Sequence, residues 1–255
     1  MNASPGQLIF LLVAGLVAGA VNAVAGGGSL LVFPALLAVG LNPLAANVTN
    51  SVAQWPGYVG IVAGNRTELK GQRRRLVMTV IAASAGAVVG CVLLLVLPGS
   101  VFDAVVPVLV ILASVLMALG PRIKRWIGTP GGDGGAAVDR TAVLLPAVFL
   151  AGAYGGYFGG ALGVILISTL SLLAADTLVR LNALKAVLSL AAASVTVVIF
   201  GLNAPVDWQA VAILAPTTLI GGYLGARVAR KLPENVLRWC VVLLGLAVGI
   251  TLIVT

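Results

Sequence analysis

A long apolar run near the start of the chain is broken in its middle by three consecutive glycines and a serine. The run extends from about residue 8 to residue 41, and Gly26, Gly27, Gly28 and Ser29 interrupt it. It is long enough to enter a bilayer, where every backbone N–H and C=O must find a partner within the protein. Glycines let the backbone leave the helical conformation, so such a break persists only where it is buried or lines a polar cavity.

The second half of the chain contains a comparable interruption. Residues 152–163 lie in another apolar segment and include six glycines, with Tyr154 and Tyr157 between them. Apolar segments interrupted by glycine in both halves of a chain are typical of secondary transporters, whose binding site lies where the segments meet. We expect the two breaks to meet near the middle of the membrane and to bind a small anion, because each helix N-terminus carries about half a positive charge.

The composition identifies an integral membrane protein. Hydrophobic residues make up 60% of the 255 residues, charged residues only 9%, and the mean hydropathy is +1.15, whereas soluble domains carry roughly 25% charged residues. Histidine is absent, and Cys91 and Cys240 lie in apolar runs without metal-ligand or redox spacing, so we predict neither a metal site nor a cofactor. The net charge of +8 comes from basic residues in short loops, which indicates orientation in a membrane rather than nucleic-acid binding. Residues 1–7 lack a positive segment, so we expect no cleavable signal peptide.

Six further apolar runs are long enough for helical spans. They cover approximately residues 44–63, 76–97, 101–119, 181–200, 208–229 and 236–254. The stretch 121–140 is first basic and then glycine-rich, and is the only linker-like part of the sequence. We predict a first membrane repeat over 1–120, a cytoplasmic linker over 121–140 and a second membrane repeat over 141–255.

The two halves repeat each other in sequence. With a spacing of 137 residues, Gly15 falls on Gly152, Gly19 on Gly156, Gly26 on Gly163 and Gly64 on Gly201. With a spacing of 135 residues, Asn47 falls on Asn182, Asn50 on Lys185, Gly86 on Gly221, Gly90 on Gly225, and Leu97-Pro98 on Leu232-Pro233. The ordered series predicts an internal duplication.

Charge indicates that the repeats are inverted. Loop 64–75 is strongly basic while its counterpart 201–207 has no basic residue; turn 98–100 has none while its counterpart 230–235 is basic. Opposite charge in equivalent loops is expected when the second copy is inserted upside down. The predicted fold is therefore an all-α membrane protein with two inverted-topology repeats, each a glycine-broken, hairpin-like segment followed by three transmembrane helices. Both termini would lie outside, and all fifteen Lys and Arg residues on or near the cytoplasmic side.

Polar side chains that follow the breaks form a second candidate group. Asn47, Asn50, Ser51 and Gln54 fall on one helical face, and Asn182 and Lys185 are their counterparts in the second half. An ionisable residue inside the membrane is a functional candidate, although Lys185 near a helix end could also reach the interface. Tyr154 and Tyr157 have a choice between donating hydroxyls to a substrate and packing. Paired glycines such as Gly15/Gly19, Gly152/Gly156 and Gly221/Gly225 favour close helix packing instead.

The segment from Gly19 to Pro34, GAVNAVAGGGSLLVFP, resembles the sulfite exporter TauE/SafE family of membrane permeases. The resemblance covers nearly the whole chain, including the glycine-rich segment 152–163 and the polar-led helix that starts near Asn182. It implies transport of small sulfur-containing anions, such as sulfite or organosulfonates, across the bacterial inner membrane. The positions that match the family's pattern are Asn22, Gly26, Gly27, Gly28, Ser29, Pro34, Gly156, Gly159, Gly160 and Gly163. Ala25 stands where the family often has a fourth glycine.

The resulting hypothesis is a multi-pass secondary transporter that works by alternating access, and not an enzyme. No carboxylate pair or Ser/His/Asp set lies within the apolar runs. A channel-like anion pore and a membrane-embedded assembly subunit or enzyme are the alternatives. The predicted partners are a small anion, the lipid bilayer and, as an open alternative, a second copy in a homodimer; no nucleic acid is expected. The predicted substrate-binding residues are Asn22, Gly26, Gly27, Gly28, Ser29, Asn47, Asn50, Tyr157, Gly160, Asn182 and Lys185.

Overall fold

The computed structural model describes residues 4–127, 141–174, 176–228 and 234–254, and these ranges contain eleven α-helices and no strand. A short 3-10 helix, Arg66–Leu69, lies between the fourth and fifth helices. The helices are α1 Pro5–Val24, α2 Ser29–Ala38, α3 Pro43–Ala53, α4 Trp55–Gly64, α5 Arg73–Val96, α6 Gly99–Ile127, α7 Thr141–Tyr157, α8 Leu162–Leu173, α9 Leu178–Asn203, α10 Trp208–Val228 and α11 Glu234–Val254.

The helices are those of a multi-pass membrane protein. Five of them (α1, α5, α6, α9 and α10) are long and apolar enough to cross a bilayer. Large aliphatic side chains point away from the bundle along these helices; on α5, Ile81 and Val96 are 63% and 75% exposed. An outward apolar surface of this kind is stable only against lipid.

Both glycine-rich segments are broken helices, as predicted. α1 and α2 are separated by residues 25–28, and α7 and α8 by residues 158–161. Gly26 and Gly159 have φ angles of +81° and +75°, in the left-handed region that glycine enters at little cost. At these two positions the backbone leaves the helix.

The chain reverses direction at each break. Gln7, near the start of α1, lines the same cavity as Val39 to Asn42, which follow α2. Likewise Leu144, near the start of α7, shares a cavity with Asp176, which follows α8. The end of α1 lies on the other face, where Ala23 and Gly64 line one cavity.

The predicted span over residues 44–63 is wrong in one respect, because the structure divides it into α3 and α4 at Gln54. Pro56 follows the break and lacks the N–H that would continue the helical hydrogen bonds. The hydroxyl of Thr218 on α10 instead donates to the carbonyl oxygen of Ala53, at 2.8 Å. The corresponding helix of the second half, α9, is continuous.

Glycines allow helices from opposite halves to pack closely. A Cβ atom on Gly19 of α1 would overlap the carbonyl oxygen of Thr218 on α10, and one on Gly221 would overlap that of Leu16. In the same way, a Cβ on Gly152 of α7 would overlap the carbonyl oxygen of Ala83 on α5. The prediction that the paired glycines serve helix packing is confirmed. α1 thus packs along α10, and α7 along α5.

Candidate functional site

The two helix breaks meet backbone to backbone. A Cβ atom on Gly26 would lie 2.6 Å from the Cα atom of Gly163, and a Cβ on Gly163 would lie 2.5 Å from the Cα of Gly26. No side chain fits at either position. Beside this contact the rings of Phe33 and Phe158 stack edge to face, with centroids 5.6 Å apart. The breaks therefore form one centre, which the first residues of α2 and α8 face.

Asn22 joins the first break to α3 and α4. Its side-chain oxygen accepts a hydrogen bond from the N–H of Gly28 at 2.8 Å, and its Nδ2 donates to Oε1 of Gln54 at 2.8 Å. Gln54 in turn donates from Nε2 to Oδ1 of Asn50 at 3.3 Å. All three side chains are at most 3% exposed. This chain of amides occupies the polar face that the spacing of Asn47, Asn50 and Gln54 predicts.

Tyr58 also belongs to this cluster, and the sequence reasoning missed it. Its hydroxyl lies within hydrogen-bonding distance of the side chains of Ser29 and Asn22. The position follows Gln54 by four residues, so continuing the same helical spacing across the break would have found it.

A small cavity lies between the two halves at this centre. The first half contributes Ser29, Asn50, Ser51, Gln54 and Tyr58, and the second contributes Gly155, Gly159, Leu162, Ser189, Ala192, Ala193 and Thr196. Its volume is about 20 Å³, enough for roughly one water molecule. The hydroxyl of Ser189, a residue only 1% exposed, finds no hydrogen-bond partner among the residues that the structure describes.

Lys185 places a buried ammonium group at the end of α1. The residue is 3% exposed, and its Nζ lies 3.4 Å from the carbonyl oxygen of Asn22. That carbonyl belongs to the last turn of α1, where the helix dipole is negative and favours a cation. Lys185 is therefore a deeply buried cation next to the amide cluster, not a side chain that extends to the interface.

Asn47, Tyr157 and Gly160 lie at the second break and stabilise its backbone. Asn47 donates from Nδ2 to the carbonyl oxygen of Tyr157 at 2.9 Å. The ring of Tyr157 packs near Phe102, with centroids 5.9 Å apart. The carbonyl oxygen of Gly160 accepts a hydrogen bond from the hydroxyl of Tyr154 at 2.6 Å. None of these three residues is among those that line the central cavity.

The remaining predicted residues are divided between the centre and its surroundings. The N–H of Gly26 donates to the carbonyl oxygen of Val21 at 3.0 Å, and that of Gly28 is bound by Asn22, so both are used within the protein. Gly27 faces the sulfur atom of Met117 on α6. Asn182 is half-buried and lines a separate cavity with Ala23 at the end of α1.

Comparison with known proteins gives a consistent result. Residues 11–252 match the family model described as Sulfite exporter TauE/SafE. A "Probable membrane transporter protein ORF9" from Sinorhizobium sp is 27% identical over 96% of this chain and 92% of its own length. The "Probable membrane transporter protein YfcA" of Escherichia coli K12 is 27% identical, over 90% and 81% of the two chains. A Haemophilus influenzae protein described as "Probable membrane transporter protein" is 24% identical, over 93% and 91%. No solved structure matches the chain.

Proposed function

Since the chain belongs to the sulfite exporter TauE/SafE family of membrane transporters, we propose that it is a secondary transporter of a small sulfur-containing anion. Sulfite or an organosulfonate would cross the bacterial inner membrane by alternating access between the two halves. The family and the relatives support transport; the substrate class and the mechanism are the proposal.

The observation that carries this proposal is the cluster where the two breaks meet. Ser29, Asn50 and Tyr58 present neutral polar groups to the central cavity, and the Ser189 hydroxyl faces it from the other half without a partner among the described residues. Lys185 lies beside the cluster and supplies one buried positive charge. Neutral hydrogen-bond donors with one nearby cation suit a small oxyanion.

An inverted repeat would bring these groups together from both halves. In support of it, α1 packs along α10 while their counterparts by sequence spacing, α7 and α5, pack along each other. The segment α1–α2 returns to the face that holds Asn42 and Asp207, and α7–α8 returns to the face that holds Arg75. The basic face would be cytoplasmic by the charge bias of the loops.

The size of the central cavity favours a carrier over an open pore. A space of about 20 Å³ holds roughly one water molecule, which is smaller than an anion with several oxygens. Binding would therefore require the halves to separate around the breaks, as alternating access demands. A channel-like pore is the alternative, and flux that neither saturates nor runs against a gradient would favour it.

Uptake into proteoliposomes tests the proposal with labelled sulfite and labelled small sulfonate. Ser29→Ala should lower saturable flux, since it removes a hydroxyl beside the cavity. Ser171→Ala is the matched control, because Ser171 is a helix residue with the same 6% exposure that is not among those lining the cavity. Equal flux in the two variants would contradict the placement of the site. Flux of neither substrate by the wild-type protein would contradict the substrate class.

A further inference from the structure

A second cavity, of about 420 Å³, lies on the basic face between the starts of α5 and α7. Three arginines and one aspartate line it, which gives the wall a net charge of +2 (three minus one): Arg74, Arg75, Arg180 and Asp176. Arg75 and Arg180 share the single carboxylate of Asp176, at 3.0 Å and 3.3 Å. One carboxylate therefore leaves much of the positive charge in this cavity uncompensated.

Two buried polar atoms at this cavity find no hydrogen-bond partner among the described residues. They are Nε of Arg180, a donor, and Oε1 of Gln72, an acceptor. Nε of Arg180 is close to Asp176 but does not form a hydrogen bond with it. Since buried polar atoms are nearly always satisfied, the pair indicates a ligand that offers both an acceptor and a donor.

The repeat provides an internal comparison for this cavity. With a spacing of 137 residues, Gln7 falls on Leu144, and with a spacing of 135, Ala45 falls on Arg180 and Gln72 on Asp207. Gln7, Ala45 and Asp207 line an equivalent cavity on the opposite face, where the lining residues include no Lys or Arg. The fold therefore produces the cavity twice, but it is basic only once.

The surroundings of the basic cavity are apolar and face lipid. Val77 and Val143, the neighbours in sequence of the lining residues Met78 and Leu144, are 46% and 54% exposed. A ligand in this cavity can thus keep its charged part among the arginines and extend an apolar part along the outside of α5 and α7.

We propose that the basic cavity binds the head group of an anionic phospholipid that also carries hydroxyl groups, as phosphatidylglycerol does. The phosphate accepts hydrogen bonds from Arg74 and Arg180, and a head-group hydroxyl donates to Oε1 of Gln72. A zwitterionic head group fits less well, because its ammonium group would meet the arginines.

Native mass spectrometry of the full-length protein tests this assignment, with bound lipid counted after exchange into defined lipid–detergent mixtures. Wild-type protein should retain phosphatidylglycerol in preference to phosphatidylcholine and to phosphatidylmethanol, which has the same charge but no head-group hydroxyl. Arg74→Gln should weaken retention of phosphatidylglycerol by about tenfold, the typical effect of one charge-assisted hydrogen bond. Arg73→Gln removes the same charge from an exposed neighbour that is not among the lining residues, and should leave retention nearly unchanged.

Three outcomes would overturn the proposal. Equal losses in Arg73→Gln and Arg74→Gln would show that general surface charge holds the lipid. Displacement of the lipid by a moderate excess of inorganic phosphate would show a site for a free anion instead. Equal retention of phosphatidylmethanol and phosphatidylglycerol would remove the role of Gln72.

Discussion

Gly26 and Gly163 occupy equivalent positions in the internal repeat, and they touch each other: each leaves no room for a Cβ atom beside the other's Cα. Residues that are equivalent in a repeat and also in mutual contact are expected on an axis of approximate two-fold symmetry. The contact joins the only segments where both halves leave the helical conformation with a positive φ at a buried or half-buried glycine in the described residues.

Replacing either glycine should destabilise the centre. For Gly163→Ala we expect a loss of about 1–3 kcal/mol in the free energy of unfolding, because the added methyl group overlaps backbone rather than a movable side chain. Gly26→Ala should cost more, since alanine at a φ of +81° adds about 1–2 kcal/mol of backbone strain. Thermal unfolding in detergent measures both changes.

Gly40→Ala separates strain from contact. Gly40 has a φ of +96°, but a Cβ there would meet nothing within 4 Å. This variant should therefore lose only the strain term and retain transport. If Gly40→Ala were as damaging as Gly26→Ala, the contact with Gly163 would have no special role.

Asn22→Ala should be strongly destabilising for its size. The change leaves the N–H of Gly28 and Oε1 of Gln54 unpaired in a buried site, at a cost of about 2–4 kcal/mol. Asn203→Ala is the control, because that asparagine is exposed at the end of α9 and should change stability by less than about 0.5 kcal/mol. Chemical denaturation of both variants would decide; similar midpoints would contradict the role of Asn22.

Lys185→Met should abolish saturable transport without loss of stability. Methionine has a similar length and removes a buried charge whose desolvation is costly, so the unfolding temperature should stay the same or rise. Flux and thermal unfolding are measured on the same preparation. A lower unfolding temperature together with normal flux would identify Lys185 as a structural cap of α1 alone.

The two buried tyrosines at the breaks should respond differently to loss of the hydroxyl. Tyr154→Phe removes the hydrogen bond to Gly160 that holds the second break and should lower stability by about 1 kcal/mol. Tyr58→Phe removes a hydroxyl from the cavity wall and should raise the KM for the anion. Should Tyr58→Phe leave both KM and kcat unchanged, Tyr58 would not contact the substrate.

Hydropathy and glycine placement were sufficient to predict most of the fold, because in lipid the backbone has few ways to satisfy its hydrogen bonds. Both breaks and the packing role of the paired glycines follow from that constraint. The division of the third and fourth helices at Gln54 does not: Pro56 alone allows either a kink or a break, and the outcome depends on Thr218, a residue distant in sequence that binds the released carbonyl of Ala53.

The candidate site was predicted only in part, since helical spacing identifies a face but not what that face meets. Asn22, Ser29 and Asn50 share the centre, and Tyr58 joins them. Asn47 instead binds the carbonyl of Tyr157, and Asn182 lies one helical turn away from the cluster residue Lys185. The difference between neighbouring turns is set by tertiary packing, which no periodicity contains.

The pairing of α1 with α10 has a consequence for how the protein is made. A chain that is inserted into the membrane from its N-terminus releases α1 and α5 first, while their glycine-lined faces still lack α10 and α7. During synthesis those faces can meet only lipid, another newly made chain or the insertion machinery. Biogenesis of this transporter therefore includes an interval in which the first helices must be shielded, and that interval ends only when α10, the penultimate helix of the described chain, reaches the bilayer.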